Sequence, residues 1–333
     1  MRKIALTLAL GLTTGFAMSQ QNPQYSQYLR NQFMINPGAA GVYDFVDVTM
    51  SGRWQWMGLT DAPKTAYVSV ASLLNFKKRT PYNPALRVSS GPVRNPEIKT
   101  GKLKHALGGQ LLADQYGAFR RMNASLTYAV HVPMSKKLNL SLGTRIGLSN
   151  NTFLQDKAVV GNIMDATNYN NATDNVYANF YSGNSSMNIL DLGVGMYLYS
   201  KNAFLGISGD NLSKDFVEFG SGTANFNTQM HFNITGGYKF PINDNLTLMP
   251  AVLVKYMAPA PVSIDGSLQL EYKEWLWMGV SYRHKDAMIG MVGLNVNNKF
   301  KFGYSYDFSL SRFNQVSSGG HEIVLGLMLG RRD

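Results

Sequence analysis

The sequence predicts an all-β fold, a transmembrane antiparallel β-barrel of about 14 strands. Three observations lead there. Apolar and polar residues alternate with period two along most of the chain. The alternating runs are mostly ~10–13 residues long, whereas soluble strands are usually ~5–6 and a tilted membrane-spanning strand needs ~9–11. Very short connections follow every even-numbered strand except the second, as in barrels whose turns on one side of the membrane are short.

The first element is a leader. Arg2 and Lys3 precede an apolar stretch from Ile4 to Met18, and Ala17 and Ser19 are small residues at the −3 and −1 positions of a cut after Ser19. This is the layout of a secretory signal peptide. Residues 1–19 are therefore read as the signal, 20–44 as an N-terminal periplasmic or plug segment, and 45–333 as the barrel.

The strands follow in order. Alternation places them at 45–56, 64–76, 105–115, 119–133, 137–150, 188–200 and 202–213, then at 229–241, 245–257, 261–273, 275–284, 286–296, 298–308 and 319–329. In one of them Phe300, Phe302, Tyr304, Tyr306 and Phe308 share a face opposite Lys299, Lys301, Gly303, Ser305 and Asp307. Leu138 to Leu148 and Met122 to Val132 repeat the pattern. Successive strand side chains point to opposite sides, so one face is greasy and the other wet. An even strand count brings both termini to one side.

The connections set an expected orientation. Ser135-Lys136, Ser200-Lys201-Asn202, Asn243-Asp244, Lys273-Glu274 and Asn297-Asn298 are short, and with a periplasmic N-terminus they are periplasmic turns. The longer connections 151–187, 214–228 and 309–318 then face outward. Phe76 to Lys104 is long on the short-turn side and carries Lys77, Lys78, Arg79, Arg87, Arg94, Lys99, Lys102 and Lys104 against the single acid Glu97. Its four prolines argue against helix or strand. Either it is a solvated loop, or Lys77, Lys78, Arg79, Lys99, Lys102 and Lys104 form a docking arm for an anionic partner, or the connection is a plug folded into the lumen.

Composition bounds the function. There is no cysteine, so no disulfide stabilises an exported chain. No mature stretch reaches ~20 apolar residues, so no transmembrane helix is expected. The formal charge of +11 falls to +9 once Arg2 and Lys3 leave with the signal. The basic residues lie along strands and in one connection, without a nucleic-acid-binding signature.

Catalytic signals are lacking. His105, His131, His231, His284 and His321 each sit in a strand without the close ligand spacing of a metal site. No nucleophile elbow, P-loop or dinucleotide fingerprint occurs, so no enzyme activity and no cofactor are expected. Gly193-Val194-Gly195 reads as strand glycines relieving crowding. Asp191, Asp265 and Glu271 read as lumen partners for Arg145, Arg283 or lysines. Trp54, Trp56, Trp275 and Trp277 read as an interfacial girdle, with carbohydrate stacking as the alternative.

The motifs also resemble a known family. After the leader come Pro23-Gln-Tyr-Ser-Gln-Tyr28, Asn31-Gln32 and Ile35-Asn-Pro-Gly-Ala-Ala-Gly41. Arg53-Trp-Gln-Trp56, Ala62-Pro-Lys-Thr65, Tyr238-Lys-Phe-Pro241, Gly279-Val-Ser-Tyr-Arg283 and Gly320-His-Glu-Ile323 follow in order. This resembles the PorP/SprF family, outer-membrane barrels of the Bacteroidetes type IX secretion and gliding machinery. The resemblance implies a non-catalytic partner in secretion or surface display of cargo such as gliding adhesins. Implied partners are periplasmic ring and lipoprotein components, a peptidoglycan-associated subunit, a secreted adhesin and outer-membrane lipid. The alternative is a general porin or small-molecule transporter. Tyr25, Tyr28, Asn36 and Pro37 precede the first strand and have no place in the wall. They are expected to fold at the periplasmic mouth and narrow the pore.

Overall fold

The fold is that of a computed structural model describing residues 23–74, 103–154, 157, 186–213, 218–219, 229–258, 260–310 and 317–330. The strands are β1 (Val46–Trp54), β2 (Lys64–Leu73), β3 (Lys104–Tyr116), β4 (Phe119–Pro133), β5 (Asn139–Phe153), β6 (Ser186–Tyr199), β7 (Ala203–Asp210) and β8 (Glu218–Phe219). They continue as β9 (His231–Tyr238), β10 (Phe240–Asn243), β11 (Leu246–Tyr256), β12 (Ser263–Tyr272), β13 (Leu276–Arg283), β14 (Ala287–Val296), β15 (Phe300–Ser309) and β16 (Gly320–Leu329).

Neighbouring wall strands pair antiparallel, and the sheet closes because β1 pairs with β16 from Val46↔Leu329 to Trp54↔His321. β9 and β10 are two halves of one wall strand, since both pair with β11. The interruption is at Lys239, whose N–H donates to the Asn202 carbonyl at 2.6 Å. Pro241 follows, with no N–H to give the ladder, and the register slips between it and Asn243. β8 is a two-residue addition to β6, at Asn188 and Ile189. The wall therefore has 14 strands and one extra short strand.

The alternation is inside-out relative to a soluble protein. On β5, Asn139, Ser141, Arg145 and Ser149 are buried while Leu142, Ile146 and Leu148 are exposed. On β4, Leu126 is 69% exposed beside Thr127 at 2%. An apolar outer face around a polar interior is what a barrel bathed in lipid requires. Burying the outer side chains in hydrocarbon supplies the transfer energy that a soluble fold takes from its core.

The two ends differ. At one end lie the short turns 134–138, 200–202, 244–245, 273–275 and 297–299. Asn297 and Asn298 both take positive φ, near 50°, the turn geometry whose twist matches that of the flanking strands. At the other end β5, β7 and β15 finish and β6, β9 and β16 begin. β1 starts and β16 finishes at the short-turn end.

One expectation is corrected here. Trp54 and Trp275 are 40% and 51% exposed on the outside, but Trp277 is 1% exposed and points inward. The Arg30 guanidinium lies 4.1 Å from its ring centroid. Alternation within β13 puts Trp277 on the lumen side with Ser281 and Arg283, so proximity to a strand end did not make it a girdle residue.

Candidate functional site

Among the described residues, buried polar chemistry gathers in the lumen, which the chain's own N-terminal segment fills. From Pro23 to Gly41 the residues are buried except Gln24, Arg30 and Gln32, which are partly so, and Tyr43 near the short-turn end is exposed. Three short 3-10 turns, Tyr28–Arg30, Gln32–Met34 and Pro37–Ala39, compact the segment. Residue 45 adjoins β1 at the short-turn end, and the chain read backwards climbs the lumen from there. Ser26 ends up against Arg53, Asp307 and Glu322, which lie near the long-connection ends of β1, β15 and β16. The segment thus runs from the short-turn end most of the way to the other end.

Asn36 and Pro37 sit directly against the wall. Asn36 is extended, as a residue before proline tends to be. Its Oδ1 accepts the Gly38 N–H at 2.8 Å, and its Nδ2 donates to the Met196 and Ile207 carbonyls at 3.0 and 3.2 Å. The amide therefore bridges β6 and β7. Gly143 on β5 and Gly195 on β6 allow this approach, because a Cβ on Gly143 would overlap the Pro37 carbonyl and one on Gly195 would overlap the Asn36 side chain. The Gly193-Val194-Gly195 run thus relieves crowding, and what crowds Gly195 is the N-terminal segment.

The rest of the segment is held by inward-facing side chains. Arg145 donates to the Phe33 and Met34 carbonyls at 2.5 and 3.3 Å and pairs with Asp210 at 3.1 Å. Ser208 donates to the Ile35 carbonyl at 2.7 Å. His131 lies 2.8 Å from the Ala40 carbonyl and 2.8 Å from the Tyr199 hydroxyl. A proton on Nε2 lets the ring donate to the first and accept from the second. Gln32 hydrogen-bonds Tyr197. Tyr25 and Tyr28 pack with Leu29, Met34 and Ile35 against Tyr67 and against Met249, Ala251 and Leu253 of β11. Burial pushes both phenols up, Tyr28 to about 12, so they stay neutral.

The upper end is an ionic network. Arg53 contacts Asp307 at 2.6 Å and Glu322 at 2.9 Å, and it donates to Ser26 Oγ at 2.6 Å. Arg283 pairs with Asp265 at 2.8 Å and reaches Asp307 at 3.7 Å. Glu322 also accepts the Ser26 N–H. The sequence offered Arg145, Arg283 or lysines as partners for Asp191, Asp265 and Glu271 without pairing them, and Asp265 takes Arg283. Asp191 instead pairs with Arg121 at 3.0 Å and Glu271 with Arg30 at 3.5 Å. Lys104 opens β3 at the short-turn end. Lys77, Lys78, Arg79, Lys99 and Lys102 lie outside the described residues.

The segment separates two vestibules. The one at the long-connection end, about 980 Å³ including space open to solvent, is lined by Pro23, Gln24, Tyr25, Arg121, Asp191 and Lys255 among others. The one at the short-turn end, about 1360 Å³ on the same measure, is lined by Arg30, Tyr43, Lys104, Lys201, Glu271 and Lys301 among others. They share no lining residue.

A family model described as type IX secretion system membrane protein PorP/SprF matches residues 17–327. The chain belongs to the PorP/SprF family. No curated protein matches it. Among solved structures, the CymD monoaromatic hydrocarbon channel is similar at 11% identity and TM-score 0.48, over 90% of this chain and 91% of that one. The toluene transporter TodX of Pseudomonas putida is similar at 10% identity and TM-score 0.46, over 89% and 92%. Omp33 of Acinetobacter baumannii is similar at 8% identity and TM-score 0.43, over 87% and 99%. Within the PorP/SprF chain, the motif residues Tyr25, Tyr28, Asn36 and Pro37 all belong to the lumen segment, and Arg53 and Glu322 hold its upper end.

Proposed function

We propose that this protein is an exported, non-enzymatic outer-membrane partner in type IX secretion, with its short-turn end in the periplasm and its lumen closed at rest. It acts in the secretion or surface display of a cargo such as a gliding adhesin. The observation that carries this reading is the lumen filled from Pro23 to Phe45 and bonded to strands all round the wall. A general porin keeps an aqueous channel, and this arrangement leaves two vestibules with a packed segment between them. Family membership supplies the secretion context.

In this reading the basic connection ending at Lys104 docks an acidic periplasmic component of the machinery, a ring lipoprotein or a peptidoglycan-associated subunit. Complementary charge speeds encounter and selects the partner, and it weakens with salt. The test replaces Lys77, Lys78, Arg79, Lys99, Lys102 and Lys104 with Gln. The expected result is normal barrel insertion, with loss of co-purifying periplasmic components and of surface display. Co-purification and display at wild-type level would overturn the docking role.

A further inference from the structure

The vestibule at the long-connection end does not balance its charge. Among the described residues, Arg121, Arg145 and Lys255 line it with the acids Asp191 and Asp210. Both acids are taken, Asp191 by Arg121 at 3.0 Å and Asp210 by Arg145 at 3.1 Å. Asp265, across the β11–β12 ladder and one pair further down, is held by Arg283 at 2.8 Å. Lys255 is left over, with no ion pair and no hydrogen bond among the described residues.

A second donor stands beside it. Lys255 on β11 is directly opposite Ser263 on β12. Both are partly buried on the inward face and line the same vestibule. The Ser263 side chain also has no partner among the described residues. Side chains directly opposite on paired strands start ~4.5–5.5 Å apart at Cβ, so one ammonium and one hydroxyl can grip the two oxygens of a single carboxylate. A charge-assisted hydrogen bond of this kind is the stronger sort.

The surface next to this pair is apolar. Leu253, two residues from Lys255 on the same face, packs in one cluster with Tyr25, Met34 and Ile35. Those three line the vestibule, as do Leu112 and Met257. A mostly apolar concavity with a few placed polar groups is the usual form of a small-molecule site. Asp191 and Asp210 face the same space, which disfavours a dianion.

We infer that this vestibule is a binding site for a monocarboxylate with an apolar body. Lys255 and Ser263 take the carboxylate, and the apolar side chains beside Leu253, including Tyr25 of the lumen segment, take the rest. The site is the same whichever way the barrel faces the membrane.

The test is calorimetric titration of the full chain in a zwitterionic detergent with phenylbutyrate, phenylbutanol and acetate. Wild type should bind phenylbutyrate several-fold tighter than either of the others. Lys255→Met should lower phenylbutyrate to the affinity of phenylbutanol, in protein shown to be folded by its heat-modifiable gel mobility. Ser263→Ala should weaken phenylbutyrate by a smaller factor. Lys201→Met, in the other vestibule, should change nothing. Equal affinity of wild type for phenylbutyrate and phenylbutanol, or no binding of either, would overturn the inference. So would acetate binding as tightly as phenylbutyrate, an unchanged affinity in the Lys255→Met variant, or an equal loss in the Lys201→Met variant.

Discussion

The Glu322 carboxylate accepts the backbone N–H of Ser26 at 2.8 Å, across 296 positions of sequence. The same carboxylate takes the Gln27 N–H at 3.3 Å and an Arg53 guanidinium N–H at 2.9 Å. One wall carboxylate therefore holds both the backbone of the lumen segment and the arginine that holds its Ser26 hydroxyl.

Glu322→Ala should loosen the upper end of the segment. Removing one member of a buried charged pair costs ~3–5 kcal/mol, because the partner is left uncompensated. Glu271→Ala, at the half-buried pair with Arg30, should cost about 1 kcal/mol or less. A thiol introduced by Leu29→Cys reports the difference, since Leu29 is buried. Maleimide labelling should accelerate strongly with Glu322→Ala and little with Glu271→Ala. Equal rates in both backgrounds would mean that Glu322 does not hold the segment.

Glycine substitutions separate lumen packing from wall stability. Gly195→Val should displace Asn36 and Pro37, because its side chain would occupy their place. Gly290→Val on β14 has nothing within 4 Å of its new Cβ and should fold as wild type. The readout is the same labelling assay together with heat-modifiable mobility. Slow labelling in the folded Gly195→Val variant would place the segment elsewhere.

The outer face should show depth dependence. Ile146→Arg, in the middle of β5, should cost ~2–4 kcal/mol, and Phe300→Arg, at the first residue of β15, about 0–1 kcal/mol. Urea titration of the bilayer-folded protein measures both. Equal penalties would contradict the placement of the lipid band.

Much of this was legible from alternation alone. The strand expected at 119–133 is β4, with both bounds as found, because unbroken period-two patterning carries its own register. The strand expected at 229–241 is divided, because the Lys239 amide bonds to Asn202 and Pro241 cannot donate. The ion-pair partners of Arg121 and Arg145 were not legible, since they lie 65 to 70 positions away and depend on strand order. The depth of the N-terminal segment was missed although β11 held a signal. Its inward residues Met249, Ala251 and Leu253 are apolar, and an apolar patch on the wet face of a lumen strand needs something to cover it. Asn36 and Pro37 were singled out, but nothing in the spacing pointed to Gly143 and Gly195 as the surface they meet.

Orientation is checked by tags. An epitope inserted within 160–180 should be reachable on intact cells, and one at 134–136 or 243–244 should not. The reverse pattern would turn the barrel over and move the docking role of the basic connection to the outside.

The closed lumen is tested most directly by conductance in a planar bilayer. Wild type should give little or no ohmic current, because the segment from Pro23 to Phe45 fills the path between the two vestibules. Deleting Gln24 to Asn31 removes Tyr25, Ser26 and Tyr28 with their bonds to the wall, and should open a steady conductance in a folded, inserted barrel. An open wild-type channel, or an inserted deletion variant as silent as wild type, would contradict the account.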